Sequence, residues 1–194
     1  MVYPLTYVLI PYTADRRGRL RDALQAIEEH TDPTVTPYAV VVYENPYIGF
    51  PNAILDMVGG INGYVFMGAS DLIMGENWLR ILWEKYESIG RKGAVEPYNE
   101  IQGGGLCQHP LIHSDLVKKY FNRHYFHYFA DNEMHERLVA DGLYTYCPEA
   151  PMQHNHVVNG KAEMDAGYRV VMDPTRNEKD RVTYKARKEA GWPD

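Results

Sequence analysis

Apolar runs and amphipathic stretches alternate along the first half of the chain. Tyr7-Val-Leu-Ile10 is continuously apolar and is closed by Pro11, the pattern of a buried strand. Leu20, Leu24 and Ile27 follow at helical spacing, with Asp15 upstream as a candidate N-cap and an expected end near His30. Thr31-Asp-Pro-Thr reads as a turn, and Tyr38 to Tyr43 as a β-branched strand. This β-α-β opening favours a parallel sheet. A short helix is expected over 51–58, a strand over 63–67, and a sharp turn at Gly68-Ala-Ser-Asp71. The stretch 77–89 predicts a helix with Trp78, Leu79, Leu82 and Trp83 on one face. Gly93 to Val95 starts a further strand.

The second half is less regular. Ile101-Gln-Gly-Gly-Gly-Leu-Cys107 reads as an irregular strand, and Pro110-Leu-Ile-His-Ser leads into a helix over 115–121. Tyr125-Phe-His-Tyr-Phe129 is an aromatic, His-bearing stretch. Residues 131–141 predict a helix closed by Gly142, a good C′ residue. Residues 144–146 are a last strand, 148–156 a loop, and 178–194 a charged helical tail, packed on the outside or partly mobile. The fold class expected is α/β: one domain over 1–177 with a mostly parallel central sheet and helices on both faces.

Composition narrows the setting. The chain has 194 residues, long enough for one sizeable core. The formal charge is -6, which argues against broad binding to a phosphate backbone. Arg16, Arg17, Arg19 and Arg21, and the basic group from Arg181 to Lys188, read as solvated helix faces. Cys107 and Cys147 lack the spacing of a disulfide framework or a zinc site, so a cytoplasmic protein is expected. No apolar run approaches the ~20 residues of a membrane span.

In open parallel sheets, ligands bind beyond the C-terminal strand ends. Three such ends carry polar groups: Pro11-Tyr12-Thr13, Glu44-Asn45, and Gly68-Ala-Ser70-Asp71. Asp71 is the one carboxylate in its turn, suited to a hard divalent cation or to a cap. Asp131, at a helix start, is suited to general-base work or again to capping. Glu133 and Arg137 form an i,i+4 pair, read as a surface ion pair. His154 and His156 share a loop and can hold metal. Gly103-Gly104-Gly105 allows close backbone approach, or merely a bulge. It is not G-x-G-x-x-G, which disfavours a dinucleotide site.

Taken in order, these features resemble the GT-A-fold glycosyltransferases, particularly the large family 2 group, over roughly residues 5 to 156. Tyr7 to Thr13 is similar to the family's first strand and uridine loop. Glu44 stands where the family often has a base-contacting Asp. Phe66-Met-Gly-Ala-Ser-Asp71 resembles the D-x-D segment, with Ala69 in place of its first Asp. Phe129-Ala-Asp-Asn-Glu-Met-His-Glu-Arg137 resembles the E-D-x-D…R segment, with Ala130 in place of its Glu. Pro148 to His154 resembles the loop whose His completes the metal site, and His156 is the alternative. The resemblance implies a Rossmann-like GT-A domain that moves a sugar from a nucleotide-diphosphate donor, a UDP-sugar by expectation, to an acceptor hydroxyl. Inversion is implied, with Asp131 as base and Asp71 with His154 or His156 holding Mn²⁺ or Mg²⁺. Pro11, Tyr12, Thr13, Glu44, Asn45 and Ser70 would meet the nucleotide. Gly103, Gly104, Gly105, Asn132 and Arg137 would line the donor and acceptor pocket. The acceptor stays open (glycan, protein, lipid, small molecule or modified nucleic-acid base), as does a homodimer. A metal-dependent nucleotide-sugar or phosphoester hydrolase and a non-catalytic nucleotide-sugar binder are the alternatives.

Overall fold

The computed structural model describes residues 2–193, so Met1 and Asp194, the outer limits of the expected domain and tail, lie outside it. The β-α-β opening is present. Strand β1 (Thr6–Tyr12) pairs in parallel with β2 (Tyr38–Glu44), Val8 opposite Val40, and helix α1 (Arg17–His30) connects them. Asp15 sits in a 3₁₀ turn before α1, and its carboxylate accepts from the Gly167 amide at 2.9 Å rather than from α1.

The remaining elements are α2 (Phe50–Val58), β3 (Tyr64–Met67), β4 (Leu72–Met74), α3 (Trp78–Ser88), β5 (Ala94–Pro97), β6 (Leu111–His113), α4 (Ser114–Tyr120), α5 (Ala130–Ala140), β7 (Tyr144–Cys147), β8 (Met152–His154), α6 (Ala166–Val171) and α7 (Pro174–Glu189). Six strands form the central sheet in the order β2-β1-β3-β6-β5-β7. β6 runs antiparallel to both of its neighbours, and the other pairs are parallel. This is the mostly parallel α/β sheet, flanked by helices, that the pattern predicts.

Period-two alternation divides the core between the two faces. Val8, Ile10, Phe66, Val95 and Leu111 pack with α3. Leu9, Val65, Met67, Ala94 and Ile112 pack with α2, α4 and α5. The two buried indoles of α3 each find a partner for the ring N–H, as burial of a polar group requires. Trp78 donates to Thr31 and Trp83 to Thr6, both at 2.9 Å.

Two expectations are corrected. Residues 101–107 form turns, not a strand: the Gly103 amide bonds the Asn99 carbonyl and the Gly105 amide bonds Gln102, so the backbone is satisfied locally. The strand lies instead at Leu111–His113, in the middle of the sheet. The 148–156 loop contains β8, which pairs with β4. Three-residue strands carry too little periodicity to be read without their partners. The C-terminal helix begins at Pro174, a favoured residue in a first turn, with Asp173 capping the Arg176 amide at 3.0 Å. It is docked: Asp180 is 2% exposed and Arg187 reaches Glu133 at 2.8 Å. Among the described residues no helix is long and apolar enough to cross a membrane.

Candidate active site

One large cavity of about 360 Å³ opens beyond the C-terminal ends of β1, β2 and β3, where an open α/β sheet binds its ligands. Pro11, Tyr12, Thr13, Asn45, Ser70, Asp71, Asp131, Asn132, His154 and His156 all line it, although they come from distant parts of the sequence. Glu44, Gly103, Gly104, Gly105 and Arg137 do not. Glu44 is exposed and accepts from the Tyr12 hydroxyl at 2.9 Å. The three glycines belong to the 101–107 turns, where Ile101 and Gln102 meet the cavity instead.

Arg137 donates to Glu133 at 3.1 Å. Glu133 is not the surface residue expected from i,i+4 spacing. It is fully buried and also binds Arg187 and the Tyr125 hydroxyl. Arg187 reaches it because α7 packs against α5, which helical spacing could not show.

Asp71 sits in the turn between β3 and β4, and its side chain does not cap α3. Its Oδ2 accepts from the Tyr168 hydroxyl at 2.9 Å and lies 3.7 Å from an Arg16 nitrogen. Its Oδ1 faces His154 Nε2, also at 3.7 Å. Burial pushes the Asp71 carboxyl up, but His154, Arg16 and the Tyr168 hydroxyl together bring it below its ordinary value. His154 is nearly buried, and among the described residues its Nδ1 has no hydrogen-bond partner. One ring nitrogen of His156, Nδ1, accepts from the Val158 amide at 3.2 Å.

A carboxylate oxygen and an imidazole nitrogen facing each other at 3.7 Å are too far apart to hydrogen-bond. That gap suits two ligands of one ion at bond lengths of about 2.1 Å. Among the described residues, no third His, Cys, Asp or Glu completes a metal-binding group. A cation held between these two atoms would have to take its other ligands from water or a bound ligand.

Asp131, in the first turn of α5, also lines the cavity. Gln108 Nε2 donates to its Oδ2 at 3.0 Å, and Gln108 is itself held by the side chain of buried Asn99 at 2.7 Å. Burial raises the Asp131 carboxyl above its ordinary value, a direction that strengthens it as a base. Beneath it Glu96, wholly buried, is pushed up to about 8 by burial, with the Asp131 charge adding to the effect. Phe126, His127 and Tyr128 form part of the cavity wall. Phe126 closes on Gly49, where φ is +92° and a Cβ would stand 1.9 Å from the Phe126 carbonyl oxygen, so only glycine fits.

Four site residues escaped the sequence reading. Arg16, expected on a solvated face, has a side chain 13% exposed and lines the cavity. Its charge is engaged by Asp165 and Asp71, 149 and 55 residues away in the chain. Tyr168, Gln108 and His109 stand in segments with no strong motif. His109 Nδ1 donates to the Met67 carbonyl at 2.9 Å, and burial pushes the ring down to about 3, so it is neutral.

Neither a protein-family model nor a curated protein matches the sequence. Among solved structures, the chain is similar to S. aureus TarS, with a TM-score of 0.58 and 10% identity, over 76% of this chain and 36% of that one. The crystal structure of TarS 1-349 gives the same TM-score and identity, over 76% of this chain and 59% of that one. The chain thus spans less than two thirds of either. At this identity the likeness establishes a shared α/β fold.

Proposed function

We propose that the protein is a glycosyltransferase that moves a sugar from a nucleotide-diphosphate donor, a UDP-sugar by preference, to an acceptor hydroxyl with inversion. The observation that carries this reading is the joint placement of Asp71, His154 and Asp131 on one cavity at the strand ends, in the roles the GT-A resemblance assigns them. The nucleotide would lie along Pro11, Tyr12, Thr13 and Asn45, with Ser70 at the turn. Its diphosphate would sit by Asp71 and His154, which would hold Mn²⁺ or Mg²⁺. When bound, such an ion offsets charge that develops on the leaving diphosphate.

Asp131 then takes the proton of the acceptor hydroxyl as that oxygen attacks the anomeric carbon. Its raised carboxyl makes it a better base than a solvated aspartate. Gln108, fixed by Asn99, keeps the carboxylate aimed, and Asn132 stands beside it. Phe126, His127 and Tyr128 shield the reacting centre from water and offer flat surfaces to a sugar ring. A single displacement on a held donor and acceptor inverts the anomeric centre, and alignment supplies much of the rate.

Isothermal titration of UDP-sugars with Mn²⁺, followed by transfer assays over an acceptor panel, tests the reading. Asp131→Asn is expected to keep donor affinity within about threefold and to lower turnover by 10²- to 10⁴-fold, the usual contribution of a general base. Full turnover by Asp131→Asn refutes the base assignment. Donor hydrolysis without transfer to any acceptor favours a hydrolase.

A further inference from the structure

The segment after β8 folds back over the strand ends and places Asp165 on Arg16. Asp165 caps α6, accepting from the Tyr168 amide at 2.7 Å. Two guanidiniums grip the same carboxylate. Arg16 donates through Nε and a terminal nitrogen at 3.1 and 3.0 Å, a two-pronged fork, and a terminal nitrogen of Arg19 lies 3.0 Å away. The Tyr168 ring lies against the Arg16 guanidinium at 3.8 Å. This fork is the geometry by which arginine also takes phosphate. It occurs on the turn after β1, beside the cavity, where a ligand of this fold is bound.

The segment is held mainly by exchangeable polar contacts. Besides Asp165, these are the Gly167 amide on Asp15 at 2.9 Å, Arg19 on the Glu163 carbonyl at 3.0 Å, and the Tyr168 hydroxyl on Asp71 at 2.9 Å and on the Asn155 carbonyl at 3.2 Å. Within α6 only Gly167 and Tyr168 are buried. Gly167 rests on the guanidinium itself, for a Cβ there would stand 2.9 Å from Arg16 Nε. Replacing one oxyanion on Arg16 by another therefore requires no rebuilding of the sheet.

We propose that Arg16 is the receptor for a phosphoryl group of a diphosphate ligand, and that Asp165 is a built-in occupant which the phosphate displaces, lifting residues 163–171 from the site. The identity of the natural ligand rests on the transferase reading. The anion site rests on the Arg16–Asp165 geometry alone.

Inorganic pyrophosphate, titrated calorimetrically in EDTA, tests this without metal or acceptor. Asp165→Asn keeps an N-cap but removes the competing charge. It is expected to bind pyrophosphate roughly tenfold more tightly than the wild type, a difference equivalent to the loss of one charge-assisted contact. Arg16→Gln is expected to lower affinity by a similar factor. Saturating pyrophosphate on the wild-type protein is expected to speed amide hydrogen exchange across 163–171. Equal or weaker binding by Asp165→Asn overturns the proposal, as does slower or unchanged exchange in that segment. These two arms hold even if Arg16→Gln fails to fold. UDP-sugars titrated alongside separate the two readings. Sugar-nucleotide binding that is indifferent to Asp165→Asn sinks the displacement and spares the transferase. Pyrophosphate results as expected, with no sugar nucleotide bound under any condition, do the reverse.

Discussion

Removing the Asp180 carboxylate should loosen a wall of the candidate active site from a helix that does not itself reach the cavity. Asp180, on α7, is 2% exposed and accepts from three successive backbone amides, Phe126, His127 and Tyr128, at 2.9, 2.9 and 3.0 Å. The side chains of those residues line the cavity. A hydrogen bond to a charged group contributes about 1.5–3 kcal/mol. The three share one acceptor and water can reach the freed amides, so Asp180→Ala is expected to cost on the order of 3–5 kcal/mol rather than the full sum. That is a large part of a typical stability of about 5–15 kcal/mol. Asp180→Asn retains one acceptor oxygen and should cost about half as much. Urea denaturation followed by tryptophan fluorescence measures both, with the slope unchanged if the unfolded state is unaffected. Amide exchange at 126–128 should rise in step. A loss under about 1 kcal/mol for Asp180→Ala, or protection retained at those amides, would refute the view that α7 organises this wall.

Stability should also depend on pH in two opposed ways. Burial pushes His109 down to about 3, and His127 and His156 to about 4, so the unfolded chain binds their protons first. Their contribution is present above about pH 6.5 and is lost as pH falls toward 4. Glu96 works the other way. Held up to about 8, it contributes fully below its unfolded value of about 4.5 and progressively less as pH rises to 8. Urea stability should therefore peak near roughly pH 6.5, and Glu96→Gln should flatten the alkaline limb; an unchanged limb counts against this assignment. Gly93 joins α3 to β5 with φ at +84°, and a Cβ there would stand 2.0 Å from the Leu143 carbonyl oxygen. Gly93→Ala should cost more than about 3 kcal/mol or prevent soluble folding, since it adds a backbone clash to an unfavourable conformation. A denaturation midpoint like that of the wild type would contradict the β5–β7 contact.

The sequence by itself determined the elements whose signal is local. Tyr7 to Ile10, Tyr38 to Tyr43 and Gly63 to Met67 announce parallel strands through apolar and β-branched runs, and the Trp-Leu spacing of 78–83 announces α3. Asp71, Asp131 and His154 were legible as candidates because their residue types and order match a known pattern, and the fold brings all three to one cavity. Tertiary structure decided what depends on partners far along the chain. β6 and β8 are three residues each and exist through pairing with β3, β5 and β4. Glu133 looked like half of a surface ion pair until α7 brought Arg187 to it. Arg16 looked like one basic residue among four. Its burial, its fork on Asp165 and its nearness to Asp71 arise because residues 163–171 return across the strand ends. Periodicity records which face of an element is apolar. It does not record which distant segment will cover that face, and the charges that meet there are set by that closure.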